Sequence, residues 1–166
     1  MKEEVILVDL YDNAIGKMEK LEAHKQGVLH RAFSVFIFNS KKELLIQQRA
    51  LTKYHSAALW TNTCCSHPRP GESIYDAAKR RLMEEMGMET ELEYKSHFIY
   101  KTKFNNDLTE HEFDHVFVGA SDLKPEINKV EVNAYKYLSL DEIKNEIKNK
   151  PEEFTSWFKI AIEKLF

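Results

Sequence analysis

Two short stretches of the chain carry side chains that can move protons or bind metal ions. Cys65 and His67 stand one residue apart, and Glu110 and Glu112 are also separated by a single residue. On a strand, this spacing turns both carboxylates to the same face of the sheet. Taken one at a time, such residues are equally well explained as packing cysteines, surface histidines and solvated carboxylates. Their significance depends on what surrounds them.

The segment between these two stretches resembles the Nudix box, a loop and helix whose glutamates hold a metal ion against a diphosphate. The positions that fit the pattern are Glu72, Arg80, Leu82, Glu84, Glu85 and Gly87. Two positions depart from it, because Ser66 replaces the opening glycine and Arg81 replaces the first glutamate of the Arg-Glu pair. In Nudix pyrophosphatases that glutamate belongs to the metal-binding catalytic set, so Arg81 argues against hydrolysis.

These departures, with the Cys-x-His pair just upstream, resemble the metal-dependent isopentenyl-diphosphate isomerase family. The resemblance extends over most of the chain. The fragments that carry it, in order, are Lys20-x-x-x-His24, His30-Arg-Ala-Phe-Ser34, Gln47-Gln-Arg-Ala50, Trp60-Thr-Asn, Cys65-Ser-His67-Pro, Tyr100, Glu110-His-Glu112 and Trp157. The resemblance implies an enzyme that isomerises isopentenyl diphosphate to dimethylallyl diphosphate for isoprenoid biosynthesis.

The resemblance also implies two metal sites. The family's ligands for the first ion fall on His24, His30, His67, Glu110 and Glu112. Three imidazoles and two carboxylates suit Zn²⁺, Mn²⁺ or Fe²⁺ better than Mg²⁺ alone. Glu85 matches the family residue that helps to hold a second ion, Mg²⁺, together with oxygens of the substrate diphosphate. The remaining histidines match no ligand position and are expected to be surface or packing residues: His55, His97, His111 and His115.

Moving a double bond requires a proton to be added at one carbon and another removed from a neighbouring carbon, through a cation that water would trap. The resemblance assigns these transfers to Cys65 and Glu112, acting on opposite faces of the alkene. A thiol near cations is expected to have a lowered pKa and to work as the thiolate. Tyr100 matches the family tyrosine beside the glutamate, where it orients or relays the proton.

Substrate binding is implied at four further positions. Lys20, Arg49 and Lys53 match the family's phosphate-contacting residues, with arginine offering a planar fork and lysine a point charge. Trp157 matches a tryptophan over the pocket, whose π face would stabilise developing positive charge. The expected partner is therefore a small isoprenoid diphosphate.

Two other functions remain open at this level. A Nudix pyrophosphohydrolase acting on a nucleoside diphosphate derivative would account for the box residues, but it leaves the Cys65–His67 and Glu110–Glu112 pairs unexplained. A catalytically inactive Nudix-like binding module would lack the acid–base residues, which are present. Phosphate release from a panel of nucleotides would separate the hydrolase from the isomerase.

The elements that position these residues are predicted from the hydrophobic pattern. Strands are predicted at residues 5–10, 32–38, 44–49, 61–65, 92–104, 113–120 and 134–138, with a turn at 12–16. Helices are predicted after the capping residues Ser73 and Ser139, and a C-terminal helix is predicted to open at Pro151. Several strands around one central helix indicate an α+β fold, with Nudix-like mixed sheets sandwiched with helices.

The length and net charge of the chain restrict the number of domains and the classes of partner. A chain of 166 residues suits one compact domain spanning 1–166, and a net charge of −3 argues against wholesale nucleic-acid binding. No apolar run approaches the roughly 18 residues of a membrane span, and the charged N-terminus does not resemble a signal peptide. Cys64 and Cys65 are adjacent and rarely bridge without strain, so at least one is a free thiol. We expect a cytoplasmic protein that is a monomer or a weak dimer.

Overall fold

The computed structural model describes residues 2–166, which form nine strands and four α-helices. The strands are β1 (Glu4–Val8), β2 (Ala14–Glu19), β3 (His30–Phe38), β4 (Glu43–Arg49), β5 (Trp60–Thr61), β6 (Cys64–Ser66), β7 (Glu93–Lys103), β8 (Thr109–Ala120) and β9 (Val132–Ser139). The helices are α1 (Lys20–Gln26), α2 (Ile74–Met86), α3 (Leu140–Asn149) and α4 (Ser156–Leu165), and Pro151–Glu153 forms a short 3₁₀ helix. Within the described residues, no helix has the length and hydropathy needed to cross a membrane.

β3 pairs with four other strands of a mixed sheet, β1, β4, β6 and β8. It pairs in parallel with β8, with His30 opposite Glu112 and Ser34 opposite Val116. Ser34 also lies opposite Cys65 of β6, so β6 must occupy the other edge of β3. β7 extends the sheet beyond β8, β1 and β2 form a hairpin beside β3, and β4 pairs with β3, β5 and β9. Cys65 and Glu112 therefore approach the same region from opposite edges of one strand.

The two faces of the sheet pack against different helices. On one face Phe33, Val35 and Ile37 of β3 are buried against the apolar side of α2. On the other face Phe36 of β3 is buried against α4, in a cluster that includes Phe158. Each such side chain, when fully buried, contributes about 1.5–3 kcal/mol from loss of water contact. The alternation along β3 thus confirms the predicted sheet sandwiched between helices.

The predicted helix signals around α2 and α3 are confirmed. The Ser73 hydroxyl accepts the Asp76 backbone N–H at 3.1 Å, which caps the first turn of α2. Ser139 and Glu142 form a reciprocal capping box at the start of α3. Because these signals depend on contacts within one turn of chain, the sequence alone is enough to locate them.

The prediction that Pro151 opens the C-terminal helix is wrong. Pro151 begins a 3₁₀ helix that ends at Glu153, and Phe154 then adopts extended backbone angles. α4 starts only at Ser156, where the Thr155 side chain accepts the backbone N–H of Phe158. The side chain of Phe154 is buried in the same cluster as α4, so packing of this residue takes precedence over a continuous helix.

The N-terminal part also differs from prediction. The chain reverses at residues 9–13, where the Asp9 carboxylate accepts the backbone N–H of Asn13 at 3.0 Å. β2 already begins at Ala14, so the predicted turn at 12–16 ends too late. α1 was not predicted, although Glu19 caps it and Gly27 ends it in a left-handed conformation. With only seven residues, α1 offers too short a pattern for hydrophobic periodicity to identify.

Gly87→Ala is expected to lower the free energy of unfolding by about 2–5 kcal/mol, because left-handed strain and a steric clash add together. Gly87 has φ 62°, and a Cβ there would lie 2.6 Å from the backbone oxygen of Glu126. Gly71→Ala is the matched control, since Gly71 has φ 82° but no atom within 4 Å of the added Cβ. Urea denaturation of both variants measures the difference, and equal losses would contradict the clash.

Candidate active site

Most of the residues selected by the family resemblance line one cavity. They are Lys20, Arg49, Lys53, Cys65, His67, Glu85, Glu110, Glu112 and Trp157. The other three selected residues, His24, His30 and Tyr100, are buried beside it, in contact with this set. Helices α1, α2 and α4 each contribute one lining residue, and the remainder come from the strands and loops near β3. The fold therefore brings all twelve predicted positions together.

Four prospective metal ligands converge at the floor of the cavity. Their ligand atoms all lie within 4.8 Å of one another, and they belong to His24, His30, His67 and Glu112. A second group within the same limit joins His24 and Glu110 to His55. Nε2 of His24 and Oε2 of Glu110 are buried, and neither has a hydrogen-bond partner among residues 2–166. Such atoms destabilise a protein by about 1–3 kcal/mol each, so a divalent ion bound between them fits the site.

Backbone contacts orient the imidazoles towards this point. Nδ1 of His24 lies 2.6 Å from the carbonyl oxygen of Lys20, and Nδ1 of His30 lies 3.0 Å from that of Val28. Each Nδ1 therefore donates its proton to the backbone, which leaves Nε2 free to ligate. Burial, followed by the neighbouring His30, lowers the pKa of His67 well below its usual value, so this ring is a neutral ligand.

The two carboxylates of β8 share a buried tyrosine. The Tyr100 hydroxyl lies 2.7 Å from Oε1 of Glu110 and 2.8 Å from Oε2 of Glu112. Burial and the adjacent Glu112 raise the pKa of Glu110 to about 7. Burial also acts to raise the pKa of Glu112, but hydrogen bonds from Glu110 and His30 outweigh it and lower the pKa to about 2. Glu112 is thus the more acidic member of the pair.

The adjacent cysteines face different parts of the molecule, as their strand spacing predicts. Cys64 is fully buried in the cluster against α2, whereas Cys65 lines the cavity. Burial raises the pKa of the Cys65 thiol, although Arg49 acts in the opposite direction. Arg49 alone therefore does not lower this pKa, and the predicted lowering, which rests on metal cations as well as basic residues, stays a prediction.

Three cationic side chains line the cavity: Lys20, Arg49 and Lys53. Lys20 forms an ion pair with Glu3 at 3.0 Å, and Lys53 pairs with Glu131. The Arg49 guanidinium lies 5.3 Å from the centre of the Trp157 ring. These cations can accept phosphate oxygens in exchange for their present partners, and Cys65 and the tryptophan ring line the same cavity. The cavity lining therefore combines cationic side chains with a thiol and carboxylates.

Comparisons with known proteins identify the family of this chain. The NUDIX domain family matches residues 28–158. A protein of Serratia proteamaculans named isopentenyl-diphosphate Delta-isomerase is 52% identical over 158 residues, which cover 95% of this chain and 88% of that protein. A protein of the same name from Pectobacterium atrosepticum is 51% identical over 162 residues, covering 98% and 90%. The chain belongs to the isopentenyl-diphosphate Delta-isomerase family.

Solved structures confirm the fold of this isomerase family member. The crystal structure of DR0079 from Deinococcus radiodurans superposes with a TM-score of 0.84, covering 99% of each chain at 19% identity. A MutT protein from Methanosarcina mazei gives a TM-score of 0.69 over 81% of this chain and 91% of its own, also at 19% identity. At these identities the similarity concerns the fold alone.

The departure from the Nudix box has a structural consequence in this isomerase. Arg81 bonds to Oε1 of Glu85 and also pairs with Glu84 at 2.8 Å. The other oxygen of Glu85 accepts an N–H from Gln47 at 2.9 Å. A carboxylate has two lone pairs on each oxygen, so Glu85 can still contribute to a cation site beside the diphosphate. At the position of the hydrolase glutamate, however, the isomerase carries a positive charge.

Sequence analysis assigned no role to His55, which is buried, stacks on Phe104 and also lines the cavity. It was expected to be a surface or packing residue because it matches no family ligand, yet its Nε2 lies 3.4 Å from Oε2 of Glu110. A weak signal was present, because His55 follows Lys53 by two residues and Arg49 by six. Of the remaining histidines, His97, His111 and His115, none lines the cavity.

Proposed function

We propose that this isomerase interconverts isopentenyl and dimethylallyl diphosphates with Cys65 and Glu112 as its acid–base pair. The observation that carries the proposal is their position on strands at opposite edges of β3, with both side chains lining one cavity. A thiol and a carboxylate placed this way can reach an alkene from two sides. The diphosphate would bind on Lys20, Arg49 and Lys53, the cations of the cavity lining.

The proton balance needs one donor and one acceptor. One member of the pair adds a proton to the terminal alkene carbon, which leaves the cation on the tertiary carbon. The other removes a proton from the carbon on the far side of that centre, and the new double bond forms there. The two groups exchange roles in the reverse direction. No other atom is gained or lost, so the reaction needs no redox cofactor.

Tyr100 and Trp157 would support these transfers. The Tyr100 hydroxyl stays protonated, since burial and then the two glutamates raise its pKa, and it can hold or relay the proton at Glu112. Trp157 is 2% exposed, and its ring would exclude water and stabilise the cation by cation–π attraction. Both residues are buried, which fits chemistry that water would interrupt.

The imidazole and carboxylate donors would hold Mn²⁺, Zn²⁺ or Fe²⁺, which would supply positive charge beside the Glu112 carboxylate. Glu85 would help to hold Mg²⁺ beside the diphosphate oxygens. The ion pair of Arg81 with Glu84 supports isomerisation over hydrolysis, because it places a guanidinium where Nudix pyrophosphatases need an additional carboxylate.

Incubation with isopentenyl diphosphate in deuterated water is expected to yield deuterium-labelled dimethylallyl diphosphate only when a divalent metal is present. Chelator treatment should abolish conversion, and adding back Mn²⁺, Zn²⁺ or Fe²⁺ with Mg²⁺ should restore it. Proton NMR follows both the product and the label. Conversion by the metal-free protein would contradict the metal requirement. If isopentenyl diphosphate stays intact and the protein releases phosphate from nucleotides, the hydrolase is favoured instead.

A further inference from the structure

The ring of His55 is held in one orientation by aromatic neighbours. It stacks on Phe104 with ring centres 4.5 Å apart and planes 9° apart. Tyr54 meets it edge-on at 4.8 Å, and Nδ1 lies 3.2 Å from the Ser56 hydroxyl. The side chain is 9% exposed. These contacts leave Nε2 directed at the Glu110 carboxylate, so the ring is preorganised and not merely filling space.

The atoms that face His55 lack partners. His24, His55 and Glu110 offer ligand atoms that all lie within 4.8 Å of one another. Two of these atoms, Nε2 of His24 and Oε2 of Glu110, are buried without a hydrogen-bond partner in the described part of the chain. Since metal–nitrogen and metal–oxygen bonds are about 2.1 Å long, donors on opposite sides of an ion lie about 4.2 Å apart. The spacing therefore suits a shared ion.

His24 belongs to both groups of donors, and this restricts the number of ions. Its Nδ1 donates to the Lys20 carbonyl oxygen, so Nε2 is its single free lone pair. One lone pair cannot serve two ions, so the two groups cannot each bind their own ion through His24. The shared donor is compatible with one ion that takes ligands from both groups.

We propose that His55 is a sixth protein ligand of the ion held by His24, His30, His67, Glu110 and Glu112. The inference rests on the proposed function of that site, and it adds a residue that the family's ligand set does not include. Six protein donors would complete an octahedral shell, which suits Mn²⁺ or Fe²⁺ better than Zn²⁺, an ion that favours four ligands. A filled shell also leaves no position for a metal-bound water.

This filled shell has a chemical consequence. A divalent ion with an open position lowers the pKa of bound water and produces a nucleophile at neutral pH. Such a nucleophile would trap the tertiary cation or attack the diphosphate. With His55 in place, the ion can fix and polarise Glu112 without generating hydroxide beside the alkene.

Cobalt substitution tests the number of imidazole ligands directly. The protein is loaded with Co²⁺, and exchangeable imidazole N–H signals with large hyperfine shifts are counted by proton NMR in H₂O against D₂O. We expect four such signals in the unmodified protein and three in His55→Ala. His97→Ala is the matched control and should retain four, because His97 is exposed and stacks on Phe113 outside the cavity.

Metal affinity gives a second readout, in competition with a chromophoric chelator. Loss of the ligand should weaken Mn²⁺ binding by about 10- to 100-fold or more in His55→Ala, with no change in His97→Ala. Three shifted signals in the unmodified protein would overturn the sixth ligand, even where isomerisation proceeds. Lack of isomerisation by the fully loaded protein would instead refute the proposed function, whatever the signal count.

Discussion

Cys65→Ala is expected to lower kcat for isomerisation by about 10²- to 10⁴-fold or more, because it removes one of the two proton-transfer groups. The change deletes a single sulfur atom from a side chain that lines the cavity, and it leaves in place the cations proposed to bind the diphosphate. KM for isopentenyl diphosphate should therefore change little. Steady-state kinetics with metal in excess measures both constants.

Cys64→Ala provides the control for this experiment. Cys64 is adjacent in sequence and also loses one sulfur atom, but it is fully buried in the cluster against α2, on the other face of β6. The expected result is a modest loss of stability, of about 1 kcal/mol for a small deletion in the core, with kcat retained. Undiminished turnover by Cys65→Ala, or an equal loss of turnover in both variants, would contradict the role given to the Cys65 thiol.

The local features of this fold could be predicted because their causes lie within a few residues. The capping box of Ser139 and Glu142 depends on contacts within one helical turn. The shared face of Glu110 and Glu112 depends on the alternation of side chains along β8. The C-terminal helix was misplaced for the opposite reason. Burial of Phe154 beside α4 is a tertiary contact, and it interrupts the helix that Pro151 would otherwise favour.

The set of residues that form the site was predicted from the ordered resemblance to the family. Local sequence patterns alone do not identify it. Nothing in the residues themselves indicates that β3 pairs with both β6 and β8, yet this pairing is what brings Cys65 towards Glu112. His55 shows the limit of such a resemblance. It matches no family ligand, and its relation to Glu110 becomes visible only when the loop before β5 is folded against the cavity.

The protonation state of Cys65 likewise depends on the folded environment. The sequence places a thiol among prospective metal ligands and basic residues, which favours a lowered pKa. In the structure burial is the largest influence, and Glu85, Glu110 and Glu112 add negative charge nearby, so the pKa rises. The predicted lowering rests on metal cations as well as on basic residues, so it stays a prediction for the metal-bound protein.

Glu112→Gln is expected to lower kcat by about 10²- to 10⁴-fold or more even at saturating metal, because an amide cannot take up and release the proton. The substitution preserves the size of the side chain and an oxygen that can accept the Tyr100 hydroxyl, now 2.8 Å from the carboxylate. It also removes a charged metal ligand, so metal affinity should fall as well. Metal content must therefore be measured alongside turnover.

Glu110→Gln separates these two effects. Glu110 lies two residues away on the same face of β8, contacts the same tyrosine at 2.7 Å, and has no proposed part in proton transfer. Its variant should also bind metal more weakly, but turnover should recover substantially as the metal concentration is raised. Glu112→Gln should stay inactive under the same conditions. Recovery of turnover by Glu112→Gln at high metal would make Glu112 a ligand alone, and the proton would then have to move through another group.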